Sequence, residues 1–211
     1  HTPTGVDRRH FLKVSTSATA GLSLGFFVPE RASAADVPQL NVWVEIEPND
    51  TIVIRYARAE MGQGSMTSAP MIIAEELDAD WRLVRSRHGS NDAAYVDPIY
   101  GMHLTGGSNT IKHSFTQYRE LGARARAMLL SAAAARWQVD VAQLRAQAGV
   151  VLGPNGRKAS YGELAQAAMA LPVPEKVKLK DPKDFRIIGH ATTRLDAKAK
   201  SSEIGRASCR E

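Results

Sequence analysis

The chain has one cysteine in 211 residues, Cys209. It lies in the terminal stretch Ile204-Gly205-Arg206-Ala207-Ser208-Cys209-Arg210-Glu211, which reads as the in-frame translation of a short-read sequencing adapter. Residues 203–211 are therefore expected to be an assembly scar, outside the fold. Without Cys209 there is no disulfide, no thiol nucleophile and no thiolate metal site. Nor can the chain hold an iron–sulfur cluster of its own, because such clusters need cysteine ligands. Basic clusters are also missing. The net charge is +5, but Arg8, Arg9, Lys13 and Arg31 against Asp7 and Glu30 in the first 34 residues leave only +3 for the rest. A domain of that charge with no Lys/Arg stripe has no nucleic-acid footprint. The P-loop and the dinucleotide fingerprint are absent, as is the G-x-S-x-G elbow. His10, His88, His103, His113 and His190 show no metal-ligand spacing.

No apolar run reaches the roughly 20 residues of a membrane-spanning helix. The N-terminus instead has the order of an export signal. Asp7-Arg8-Arg9-His10-Phe11-Leu12-Lys13 precedes a small, weakly apolar run from Val14 to Val28, and Ala32-Ser33-Ala34 follows as a cleavage site. The paired arginines resemble a twin-arginine signal, so residues 1–34 are expected to be a leader and the mature protein periplasmic, exported already folded.

The apolar fraction of 44% is enough for a sizeable core. After a short linker, Asn41 to Glu47 alternates with Val42, Val44 and Ile46 on one face, Pro48-Asn49-Asp50 is a turn, and Thr51 to Tyr56 alternates again; the pair reads as a hairpin. Glu60-Met61-Gly62-Gln63-Gly64-Ser65-Met66 reads as a loop. A helix over about 68–78 follows, capped by Thr67 or Ser68, so that Pro70 falls in the tolerated first turn. Trp81 to Arg87 reads as a third strand and His88 to Leu104 as loop. A long helix from Thr110 to Trp137 has Gly122 inside it, a sign of close packing on a neighbour. Val141 to Gln147 reads as a short helix, Val150 to Leu152 as a strand and Pro154 to Arg157 as a tight turn. Tyr161 to Ala170 reads as a helix opened by a Ser160/Glu163 capping box. Residues 171–183, rich in proline and lysine, read as a linker, and 184–202 as the start of a new unit. The expected fold class is α+β: a small mixed sheet with one long helix and shorter ones.

Two stretches could carry chemistry. Gly62, Gln63 and Gly64 lie between a strand and a helix, where glycines let main-chain N–H groups approach a ligand and the helix dipole favours an anion. Gly106, Gly107, Ser108, Asn109 and Thr110 repeat that logic before the long helix. Each also has a purely local reading: a plain turn for the first, N-capping by Ser108 or Asn109 for the second. Glu75-Glu76 reads as a solvated helix face. Tyr95, Tyr100 and His103 could line a pocket.

The order of these strings is distinctive. A twin-arginine leader, N-x-W-V, A-E-M-G-Q-G, A-E-E-L-D-A-D-W and T-G-G-S-N-T are followed by Lys180-Asp181-Pro182-Lys183-Asp184-Phe185-Arg186-Ile187-Ile188-Gly189 and Arg194-Leu195-Asp196. Over residues 8–200 the chain resembles the N-terminal part of the molybdopterin-binding large subunit of the xanthine dehydrogenase/aldehyde oxidase family, in the isoquinoline 1-oxidoreductase β-subunit branch. The resemblance implies that 35–170 is a molybdopterin-binding segment and that 184–202 begins an α/β hammerhead-like domain. It implies a molybdenum–molybdopterin cytosine dinucleotide cofactor, contacted by Gly62, Gln63 and Gly64 and by Gly106, Gly107, Ser108, Asn109 and Thr110. It further implies hydroxylation of an N-heterocycle or aldehyde with water as oxygen donor. Electrons would leave through a small 2Fe–2S subunit and a cytochrome c acceptor, and the catalytic glutamate would lie far downstream, so that this stretch alone is inactive and none of its own residues is catalytic. An exported cofactor-binding or assembly protein without turnover is the alternative; a long continuation carrying further cofactor loops and a late glutamate motif distinguishes the enzyme from it.

Overall fold

A computed structural model describes residues 22–25, 42–91 and 93–202. Most of the expected leader, the linker before residue 41 and the expected scar at 203–211 lie outside the described residues. Leu22–Gly25, within the expected leader, forms strand β1 and pairs antiparallel with β2, Val42–Ile46. β2 turns through Asp50, whose φ is 66°, into antiparallel β3, Ile52–Tyr56, with Val44 opposite Ile54 and Ile46 opposite Ile52. The hairpin forms as its alternation predicts, but both of its faces are covered. Trp43, Val44, Glu45 and Ile46 are all buried, as are Ile52, Val53, Ile54 and Tyr56. Trp43 meets the rings of Tyr95 and Tyr118 edge-on, with centroids 4.6 and 5.5 Å away.

From β3 the chain crosses through helix α1, Ser65–Leu77, to β4, Val84–His88, which lies parallel to β3 at the sheet edge. Two expectations are corrected here. The helix starts at Ser65 behind Gly64 instead of near residue 68, so Pro70 sits inside it; the carboxylate of Glu60, described below, accepts the Met66 amide, and Gly64 O accepts those of Thr67 and Ser68. The expected strand over 81–87 is a 3₁₀ turn, Trp81–Leu83, opened by the Asp80 side chain accepting from the Arg82 amide, and only then β4 with Val84 inward.

Helix α2, Asn109–Trp137, crosses α1 closely: a Cβ on Gly122 would run into the carbonyl oxygen of Ile73. Beyond it, the expected helix over 141–147 is a 3₁₀ turn, Val141–Gln143, and then β5, Arg145–Gln147. β5, β6 (Val150–Leu152) and β7 (Lys158–Ser160) form a second antiparallel sheet. The turn at Ala148 and Gly149, with φ of 48° and 78°, closes a two-residue hairpin, which outweighs local helix preference. Helix α3, Tyr161–Met169, begins with the expected capping box. It is tied to its neighbours by the Tyr161 hydroxyl donating to Leu77 O at 2.6 Å and the Gly162 amide donating to Asp50 at 2.7 Å. The short helix α4, Ala197–Ser202, ends the described chain. No helix among the described residues is long and apolar enough to cross a membrane.

Glu75 and Glu76, expected on a solvated face, are 1% and 0% exposed. Glu75 accepts the amides of Arg186, Ile187 and Ile188 at 2.9, 2.7 and 3.0 Å and the Lys180 ammonium at 3.0 Å. Glu76 meets the guanidinium of Arg119 and accepts the amide of Lys180. Burial alone would raise the Glu75 carboxyl, but the Ile187 and Ile188 amides, Lys180 and the Arg186 amide overcome it and hold it below its ordinary value. A buried carboxylate is tolerated only when paired and hydrogen-bonded. This pair straps residues 180–188 onto α1 and so carries the chain back towards the start of that helix.

Candidate functional site

The two glycine stretches lie side by side at the starts of α1 and α2. The Ala59 amide donates to Thr105 Oγ1 at 2.9 Å and bridges them. Their internal arrangements differ. In the first, Glu60 folds back over its own loop. Its Oε1 accepts the amides of Gly62 and Gly64 at 2.8 and 3.0 Å; its Oε2 accepts the amide of Met66 at 2.8 Å and the Ser65 hydroxyl at 3.3 Å. The amides of Gly62 and Gly64, expected to face a ligand, are thus bonded to the protein's own carboxylate. Gln63 also folds inward, its Nε2 donating to Ala59 O at 2.7 Å and its Oε1 accepting from the Met61 amide. Gly62 and Gly64 have φ of 100° and 85°, which only glycine adopts without strain. Burial raises the Glu60 carboxyl, but the Met66, Gly64 and Gly62 amides and the Ser65 hydroxyl outweigh it and hold it below its ordinary value. Arg194 lies beside the loop, with Nη2 4.0 Å from Glu60 and its guanidinium doubly bonded to Asp196 at 2.9 Å.

In the second stretch, Gly107 and Ser108 are both left-handed, with φ of 60° and 56°, and Ser108 does not cap α2 with its side chain. The expected capping is therefore not made, and Asn109 is the first helical residue. Gly106, Gly107 and Ser108 are exposed. Asn109 is buried, and both its Oδ1 and its Nδ2 lack a hydrogen-bond partner. Such an orphaned buried amide costs about 1–3 kcal/mol unless something satisfies it.

The loop before this stretch is held by an ionic hub that the sequence reading missed. Arg58 and Asp97 are fully buried, 2.8 Å apart. Asp97 also accepts the amides of Ile99 and Tyr100 at 2.9 and 3.0 Å and bonds His113 Nδ1 in the first turns of α2. Burial raises its carboxyl; the Tyr100 and Ile99 amides, His113 and Arg58 more than reverse that. Asp97-Pro98 before a loop was the available signal. The aromatic residues proposed to line a pocket separate: Tyr95 is in the core against Trp43, Tyr100 is exposed against the His113 ring 5.2 Å away, and His103 bonds Asn91 O. Behind both loops the Tyr56 hydroxyl, pushed up to about 12 by burial and by the charges of Glu60 and Asp196, sits 2.7 Å from His88 Nε2. Among the described residues no group of three or more His, Cys, Asp or Glu could hold a metal ion.

Comparison with known proteins places the chain in a family. A family model described as molybdopterin cofactor-binding domain matches residues 9–205. The isoquinoline 1-oxidoreductase subunit beta of Brevundimonas diminuta is 38% identical over 180 residues, covering 81% of this chain and 22% of that protein. A membrane-bound aldehyde dehydrogenase (pyrroloquinoline-quinone) of Gluconacetobacter polyoxogenes is 30% identical over 215 residues, covering 93% of this chain and 26% of that one. Among solved structures, a reconstituted CO dehydrogenase from Oligotropha carboxidovorans superposes with a TM-score of 0.48 at 21% identity, over 59% of this chain and 15% of its own. The chain spans about a quarter of the length of the curated relatives it matches. With a match that runs through both glycine stretches and nearly all of the fold around them, the chain belongs to the molybdopterin cofactor-binding domain family.

Proposed function

We propose that this chain is part of the cofactor-binding subunit of an exported, periplasmic molybdenum hydroxylase, and that the paired glycine loops form one wall of its molybdopterin site. The observation that carries the reading is the open start of α2: a 29-residue helix without a side-chain cap, preceded by two left-handed residues and followed at once by a buried amide with no partner. Orphan amides at a helix start and a positive dipole end suit a phosphate. The residues here therefore fit a pterin nucleotide at the second loop: Gly106, Gly107, Ser108 and Thr110 would hold its phosphates, and Asn109 would satisfy its own amide on the ligand. Gly62, Gln63 and Gly64 would border the same group from the first loop.

When bound, the molybdenum group supplies the redox chemistry, oxidation of an electron-poor carbon with oxygen from water. The chain's own residues bind and orient it. The cytosine form of the dinucleotide, an N-heterocycle or aldehyde substrate, a separate 2Fe–2S subunit and a cytochrome c acceptor complete the reading; the names of the relatives support the substrate classes. The test is Gly107→Val in the full-length protein, with molybdenum measured by mass spectrometry and released nucleotide by chromatography. Both are expected to fall several-fold together. Parental occupancy of both would overturn the assignment of the second loop.

A further inference from the structure

We propose that the carboxylate of Glu60 is the permanent anion of the first glycine loop. On this view the amides of Gly62, Gly64 and Met66 never receive a phosphate, and main-chain anion recognition is left to Gly106–Thr110. The inference concerns the site assigned above, but its first half stands on the loop alone. An ionised carboxylate has about four acceptor positions. Glu60 fills four, two on each oxygen: Gly62 N and Gly64 N on Oε1, Met66 N and Ser65 Oγ on Oε2. Its side chain is only 9% exposed. It also lies at the positive end of α1, where a negative charge is favoured.

A phosphate seeking these amides would have to displace a carboxylate tethered two to six residues from every donor. That carboxylate competes at a high effective concentration. Once displaced, it would sit as a like charge beside the newcomer. Arg194, whose Nη2 lies 4.0 Å from Glu60, already shares its guanidinium with Asp196 and so does not neutralise a second anion there. What the loop turns outward is different in kind: Met61 is 69% exposed, whereas Gln63, although exposed, has both ends of its amide bonded within the loop. Glu60 is thus a positioning residue. It sets the glycine turn before any ligand arrives, and it leaves main-chain anion recognition to Gly106–Thr110.

The test is hydrogen–deuterium exchange of the peptide spanning residues 60–67 in the full-length protein, with formate and inorganic phosphate as probes. In Glu60→Ala, exchange at these amides is expected to be about tenfold faster or more, and formate, entering the vacated nest, is expected to slow it again in a saturable way. The parental protein is expected to respond to neither probe in this peptide. Phosphate slowing exchange there in the parental protein would show a displaceable carboxylate and overturn the proposal; so would unchanged exchange in Glu60→Ala. If that variant does not fold, Glu60→Gln, which keeps one acceptor oxygen, is expected to exchange faster than parental, and parental rates would overturn the proposal equally. Molybdenum content, measured in parallel, reports on the proposed function independently of the formate response.

Discussion

The two glycine stretches look alike on paper and differ in the folded protein. Each puts left-handed residues in front of a helix, Gly62 and Gly64 in the first and Gly107 and Ser108 in the second. The first is closed by a glutamate from its own turn; at the second, no side chain among the described residues plays that part. The difference separates two tasks that one motif is often assumed to combine. A loop that carries its own anion is rigid without a ligand. A loop that lacks one holds unmet hydrogen-bonding capacity, which a phosphate-bearing group can use. The physical determinant is a single residue two positions before the first glycine: a glutamate at 60, and Leu104 at the equivalent place before Gly106.

The largest expected effect comes from removing the support of the open loop. Asp97→Asn leaves Arg58 buried without its counter-charge and weakens the bonds that hold Ile99, Tyr100 and His113. Breaking a buried pair costs about 3–5 kcal/mol, so the melting temperature should fall by many degrees. Exchange should accelerate first over residues 97–113, while 60–67 stays protected. Equal acceleration in both would mean that the loops do not differ in how they are held.

Acid sharpens the contrast at smaller scale. The folded Glu60 carboxyl lies below its ordinary value of 4.5, so its contribution is present above that value and is lost as the pH falls through the folded value. Arg194, Asp196 and Tyr56 are the charged or titratable groups around it. Glu75, Asp97 and Asp196 are depressed too, so the acid limb belongs to several groups. The difference between parental and Glu60→Gln melting temperatures isolates the loop. That difference should be largest near pH 6 and shrink towards pH 3; a gap that does not change with pH would remove the carboxylate from the account.

The smallest effect is expected at the bridge. Thr105→Val removes the acceptor of the Ala59 amide and should cost about 1 kcal/mol. Its informative readout is coupling. In a double-mutant cycle with Glu60→Gln, an interaction well above zero shows that the first loop's closure is transmitted to the second; strict additivity shows two loops that are merely adjacent.

Much of this architecture is written locally. The β2–β3 hairpin, the Ser160/Glu163 capping box and the close approach at Gly122 each depend on residues near one another or on the size of one residue. What the sequence does not show depends on distant partners. Glu75 and Glu76 look like a solvated face because helix periodicity carries no information about Lys180 or the amides of 186–188, more than 100 residues away in sequence. The helix predicted over 141–147 gave way to β5 because its pairing partner lies beyond the turn at Ala148 and Gly149.

The amino-acid sequence by itself determined the family, the first hairpin, the long helix and the glycine stretches before the two helices, because these depend on residue type and short-range spacing. Only the tertiary structure decided which of those freed amides are already engaged. A hydrogen bond is spent according to distance and direction, and the carboxylate that closes the first loop is placed by the fold of the turn, with Arg194 brought beside it from the far end of the chain.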